Sequence, residues 1–183
     1  MFLSENKIQI NASTISKYII YFKESYIIDK AKRYDVKGAK YFSTPLKYYF
    51  TDIGLRNAWL NFSDIDRSHI MENIVYNELK VRDFNVDVGY VIYEQKTQDS
   101  RNVHNLEIDF IANLIDTKYY IQVALSVDEA NKKEQVIRPL LQVKDSHKKI
   151  VIVYDDIFKH HDNNEILYVG LKEFLLDFDV FNI

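Results

Sequence analysis

The chain is expected to be an α/β domain, a mixed sheet flanked by helices. Three observations carry that expectation. From residue 68 onward the periodicities run helix, strand, strand, strand, helix, strand. The segment "KIVIVYD" (149–155) is almost continuously apolar, the pattern of a strand covered on both faces. The 14 Tyr and 11 Phe, with abundant Ile, favour strands and thick aromatic packing.

Each element has a local reason. "NASTISKYIIYFKES" is a helix opened by Asn11 as N-cap, with Ile15, Ile19 and Phe22 on one face and much of it expected to be buried. "YIIDKAKRY" and "AKYFS" flank "DVKG", the composition of a hairpin that turns at Gly38. Residues 45–62 pass from a short strand into a short helix near Gly54. The segment "DRSHIMENIVYNELKVRD" is a second helix, capped by Asp66 or Ser68, with Ile70, Ile74 and Leu79 in its apolar stripe. Strands follow at 90–95, 106–113 and 118–125. A helix is expected over 128–143, bent or ended by Pro139. The tail "YVGLKEFLLDF" reads as a strand end and a short helix.

Composition removes several function classes. The chain has 183 residues and 47% hydrophobic content, enough for a core, and no cysteine, which excludes disulfides and thiolate metal sites. No apolar run approaches the roughly 20 residues that cross a bilayer. "MFLSENKIQINAS" is not a signal peptide, so a cytoplasmic protein is expected. No "GxxxxGK[ST]" is present, so the chain has no P-loop of its own.

Charge is unevenly placed. Residues 1–50 hold nine Lys/Arg against four Asp/Glu, a net of +5, while residues 51–183 hold fifteen against twenty-three, a net of −8. A basic head (1–50) on an acidic body (51–183) suggests two units with different partners. A helix followed by a basic hairpin is the second half of a winged helix, with about ten residues left for the first half. The chain therefore reads as cut at its N-terminus. Lys17, Lys30, Lys32, Arg33, Lys37 and Lys40 are the candidate nucleic-acid contacts, with the hairpin wing pressed on phosphates. The competing reading packs the hairpin on the acidic body and leaves its lysines solvated.

The stretch "EIDFIANLIDTKYYIQVALSV" (107–127) carries the chemistry. Side chains alternate along a strand, so Glu107 and Asp109 share one face of theirs, Gln122 shares a face with Ala124 on the next, and Glu72, Asp109 and Gln122 are expected to converge on one pocket. Pairing of the two strands would set Asp109 beside Gln122, and Glu72 on the preceding helix could close an oxygen-rich group suited to Mg²⁺. The same acids could equally be solvated strand residues. His160, His161 and His104 are expected in solvated loops, and Trp59 in packing.

The order α-β-β-β-α-β, an acid on the helix, "EIDF" on one strand and "IQVA" on the next together resemble the PD-(D/E)XK, or restriction-endonuclease-like, superfamily. "KYYFTDIGLRNAWL", "HIMENIVYNELKVRDFNVDVGY", "EIDFIA", "YYIQVALSV" and "VGLKEFLLDF" are similar to the domain found C-terminal to the ATPase module of prokaryotic AAA-type ATP-binding proteins. The segment before them resembles the winged-helix portion that joins the two. The resemblance implies that Asp109 is the central metal ligand. It places Gln122 where a Glu stands in active members, Ala124 where their lysine stands, and Glu72 at the helix acid. With Gln122 uncharged and Ala124 lacking a cation, it implies weak Mg²⁺ binding through Asp109 and Gln122 and a degenerate site that binds DNA or a partner protein. The alternatives are a Mg²⁺-dependent nuclease whose lysine has migrated to Lys132 or Lys133, and a structural module that assembles with a separate ATPase.

Overall fold

The computed structural model describes residues 11–63, 66–96 and 101–181. The ten N-terminal residues, where the first half of a winged helix would fall, lie outside them. The elements in order are α1 (Ala12–Glu24), β1 (Ile28–Asp35), β2 (Lys40–Phe50), α2 (Ile53–Trp59), α3 (Arg67–Val81), β3 (Asn85–Lys96), β4 (Arg101–Leu114), β5 (Thr117–Ala124), α4 (Ala130–Leu141), β6 (Lys148–Val153), β7 (His160–His161), β8 (Leu167–Gly170) and α5 (Leu171–Leu176). The strands form one mixed sheet in the order β2-β1-β3-β4-β5-β6-β8-β7. No helix among the described residues is long and apolar enough to cross a membrane.

Two apolar layers sandwich the sheet. On one face Met71, Val75, Tyr76 and Leu79 of α3 pack with Phe110, Ala112, Ile121, Ile150 and Ile152. On the other, Ile137 and Leu140 of α4 pack with Ile108, Ile111, Tyr120, Val151 and Val153. Strand β6 feeds both layers, pairing in parallel with β5 and with β8, which is why its sequence is apolar throughout.

The basic hairpin is part of this sheet. Strand β1 pairs antiparallel with β2 and, through Arg33–Asp35, in parallel with Val88–Tyr90 of β3. The boundary expected at residue 50 therefore falls inside one continuous sheet. The hairpin turn needs Gly38 for space rather than for dihedral freedom. Asp35 Oδ1 accepts from the backbone N–H groups of Lys37 and Gly38, and a Cβ on Gly38 would lie 2.2 Å from Asp35 Oδ2. The left-handed backbone is taken by Ala39 instead, at φ 49°.

Several expectations need correction. Helix α1 is capped by Asn11 as expected, yet it buries no residue; Tyr18 and Tyr21 are more than half exposed. Near its end Phe22 touches Trp59, itself half exposed and in contact with Phe50. Strands β3 and β4 run well past the expected 90–95 and 106–113, because their polar ends still pair across the ribbon Val91–Lys96 and Arg101–Leu106. His104 thus lies in a strand, stacked on Tyr93 with ring centroids 5.0 Å apart, and not in a loop. His160 and His161 form the two-residue edge strand β7; they are exposed, and His160 stacks on Tyr168. Pro139 sits in the last turn of α4, which continues to Leu141.

Candidate functional site

Strands β4 and β5 pair from Leu114↔Thr117 as far as Phe110↔Ile121 and then separate. At the same level β4 bulges. The β3 register shifts between Asp87↔Ile111 and Gly89↔Ile108, so Asp109 and Phe110 together face Val88. Gly89 makes room for the bulge, since a Cβ there would lie 2.8 Å from the Ile108 Cβ. Where the ladder ends, side chains take over its hydrogen bonds. The Asp109 N–H donates to Gln122 Oε1 at 2.8 Å, and the Val123 N–H donates to Asp109 Oδ2 at 2.8 Å.

This arrangement divides the residues singled out in the sequence. Tyr120 packs in the α4 layer and Ile121 in the α3 layer, so alternation turns Gln122 toward α4. Its Nε2 donates to the carbonyls of Val136, on α4, and Glu107, both at 3.3 Å. Ala124 lines a groove of about 330 Å³ with Lys132, Gln135 and Val136, on the same α4 side. Glu72 belongs to the opposite layer. Gln122 therefore braces the splayed strands and does not join Glu72. Neither lysine expected as a replacement reaches the acids. Lys132 pairs with Glu129 at 2.7 Å, and Lys133 lies over the Tyr168 ring, 4.7 Å from its centroid.

The charged cluster that does form on the α3 side includes residues the motif comparison passed over. Lys47 Nζ lies 2.7 Å from Glu72 Oε1 and 2.9 Å from Glu107 Oε1. Arg33 Nη2 lies 2.9 Å from Glu107 Oε2. The Tyr49 hydroxyl donates to Glu72 Oε1 at 2.7 Å. Lys47 and Tyr49 share one face of β2 because they are two residues apart, a signal present in "LKYYF". Burial pulls the Lys47 ammonium down, but Glu72 and Glu107 outweigh it and hold the group above its usual value. Burial, then the Glu72 charge, push the Tyr49 hydroxyl far up, so it stays a donor. Asp109 is raised to about 7, chiefly by desolvation and next by Glu72, against the opposing pull of the Val123 N–H and Lys47.

Of the candidate nucleic-acid contacts, Arg33 is thus engaged with Glu107. Lys17, Lys32, Lys37 and Lys40 are exposed, Lys30 is half-buried, and Lys32 lies 5.3 Å from the Tyr41 ring centroid.

The residues do not fit the Mg²⁺ that the resemblance implies. Among the described residues no group of three or more His, Cys, Asp or Glu side chains is arranged to hold a metal ion. The Gln122 carbonyl oxygen and one Asp109 oxygen are spent on backbone N–H groups, and the Glu72 and Glu107 carboxylates already face cations.

Comparison with known proteins gives two matches. Residues 3–66 match the model of a domain of unknown function (DUF8612), a span that covers α1, β1, β2 and α2. An uncharacterized protein of Haemophilus influenzae is 34% identical over 164 residues, which is 90% of this chain and 36% of that protein. The chain thus spans little more than a third of the length of the relative it matches.

Proposed function

We propose that this chain is the C-terminal part of a cytoplasmic AAA-type ATP-binding protein. In this reading a winged-helix-like head precedes a restriction-endonuclease-like domain that has lost its chemistry and binds DNA or a partner protein. The observation that supports the loss of chemistry is the division of the site: Gln122 and Ala124 face α4 and do not converge with Glu72, while Glu72 and Glu107 are held by Lys47 and Arg33 on the α3 side. Phosphodiester hydrolysis in this class needs a metal-activated water and a cation near the phosphate. In the divided arrangement Gln122 is turned away from the acids, and the cations that reach Glu72 and Glu107 occupy the oxygens a metal would need. The length of the Haemophilus relative leaves room for an ATPase module.

The wild-type chain is expected to leave duplex and single-stranded DNA and RNA intact in Mg²⁺ and Mn²⁺. Robust cleavage that Asp109→Ala abolishes would overturn the reading. That outcome would favour the second one, a metal-dependent nuclease with a relocated lysine, for which Lys47 among the acids is the supporting observation. Electrophoretic shifts with random duplex DNA then separate DNA binding from a purely structural role beside an ATPase. Wing contacts predict a shift that fades steeply with salt and weakens in a Lys30→Ala, Lys32→Ala double variant. Absence of a shift at low ionic strength leaves partner binding.

A further inference from the structure

We infer that Lys47 supplies, from within the chain, the positive charge that metal-dependent relatives would take from Mg²⁺, and that the fold is therefore indifferent to divalent ions. The inference rests on the nuclease-like reading for its comparison, and on this chain's geometry for its content. Two carboxylates, Glu72 on α3 and Glu107 on β4, flank one ammonium at 2.7 and 2.9 Å, and the Arg33 guanidinium takes the remaining oxygen of Glu107. Two negative charges thus meet two positive ones. The Tyr49 hydroxyl adds a further donor to Glu72 Oε1. Mg²⁺ would need several unobstructed oxygens at about 2.1 Å. Here the oxygens nearest the cluster centre already receive hydrogens.

The hairpin is shaped to deliver this cation. Between Ala31↔Lys47 and Arg33↔Phe42 the β1–β2 register shifts, so β2 carries extra residues just before Lys47. Bulges of this kind re-aim side chains. This one brings Lys47 and Arg33, from the two strands of one hairpin, onto the same acid of β4. Half-burial of the cluster makes the internal cation effective. A carboxylate left there without its partner would be disfavoured far more than one in water.

Thermal unfolding of the whole chain tests the inference separately from any cleavage assay. The wild type is expected to melt at the same temperature in EDTA and in millimolar MnCl₂. Lys47→Met should melt lower in EDTA, by roughly 3–6 °C for a domain of this size, and regain part of the loss in MnCl₂. Lys47→Arg, which keeps the charge, should behave as wild type toward Mn²⁺. A wild-type melting point that rises in MnCl₂, with the rise lost in Glu72→Gln, would overturn the inference whether or not Lys47→Met folds. A Lys47→Met protein that melts like wild type, or ignores Mn²⁺, would overturn it too. Metal-dependent cleavage that Asp109→Ala abolishes would overturn the degenerate-site reading and this inference together, whereas a divalent-ion effect on wild-type melting without cleavage would overturn this inference alone.

Discussion

Asp109 keeps a proton to unusually high pH because its carboxyl is desolvated at the β4 bulge and faces the charge of Glu72. Its folded value, about 7, exceeds the ordinary carboxylate value near 4 that it regains on unfolding. The folded state therefore binds more protons than the unfolded state between those limits. Its contribution to stability is full below about pH 4 and is lost as pH rises through about 7, a loss on the order of a few kcal/mol. Asp109→Asn cannot ionise but can still accept from the Val123 N–H. Denaturant melts at pH 5.5 and pH 8 should show the wild type weakening markedly at the higher pH and the variant much less. Equal slopes in both proteins would refute the raised value. The strand parity that put Asp109 on the face of Glu107 was readable, but the bulge that sets Asp109 and Phe110 together opposite Val88 was not, since it depends on Gly89 in another strand. Lys47 was missed for a related reason. The sequence reading looked for a cation near "IQVA" and on the following helix, whereas the one that arrives stands 60 positions from Glu107 and meets it only through the sheet.

Gln122 shows how an element can be interrupted without coming apart. Strand β5 leaves β4 after Ile121, and a single amide then satisfies one backbone donor and two backbone acceptors across the gap. Gln122→Ala would leave buried backbone groups unpaired, at a cost of about 1–3 kcal/mol, which a chemical denaturation curve resolves as an earlier midpoint. Gln122→Glu keeps the acceptor for the Asp109 N–H but turns the Nε2 donor into an oxygen facing two carbonyls. It should be destabilised at pH 8 at least as much as the alanine variant. If it is as stable as wild type, the strut does not exist. One consequence concerns any attempt to install the motif of the superfamily that the sequence resembles with Ala124→Lys and Gln122→Glu: its second substitution dismantles the brace that ties the splayed strands together. The elements themselves were well marked in the sequence. The helix from Asp66, the β1–β2 hairpin and the doubly covered β6 all follow from capping, turn chemistry and apolar runs. Strand ends were not, because the pairing of polar residues in the β3–β4 ribbon leaves no hydrophobic period to read.

Charge divided the chain at residue 50, but the hydrogen bonds do not. Beyond the parallel pairing of β1 with β3, the hairpin is tied to the body by the Tyr76 hydroxyl on Asp29, the Tyr41 hydroxyl on Asp87, and Asn73, whose side chain bonds both the N–H and the carbonyl of Phe50. Two of the nine basic residues of the first half, Arg33 and Lys47, also meet acids of the second, Glu72 and Glu107. That contact has a practical bearing on where the polypeptide can be cut. A fragment starting at residue 51 would be the obvious choice for isolating a nuclease-like domain by charge and motif. It would uncover the β3 edge at Val88–Tyr90 and strand Glu72 and Glu107 with neither Lys47 nor Arg33 to answer them. Such a fragment is expected to aggregate or to give poorly dispersed amide NMR signals where the whole chain gives sharp ones, and a soluble, well-folded 51–183 fragment would contradict this. Within the sheet, the β1–β2 hairpin is made before its strand partner β3, which follows only after α2 and α3, so the earliest-made part of the sheet must wait for its neighbour before it can be locked in place.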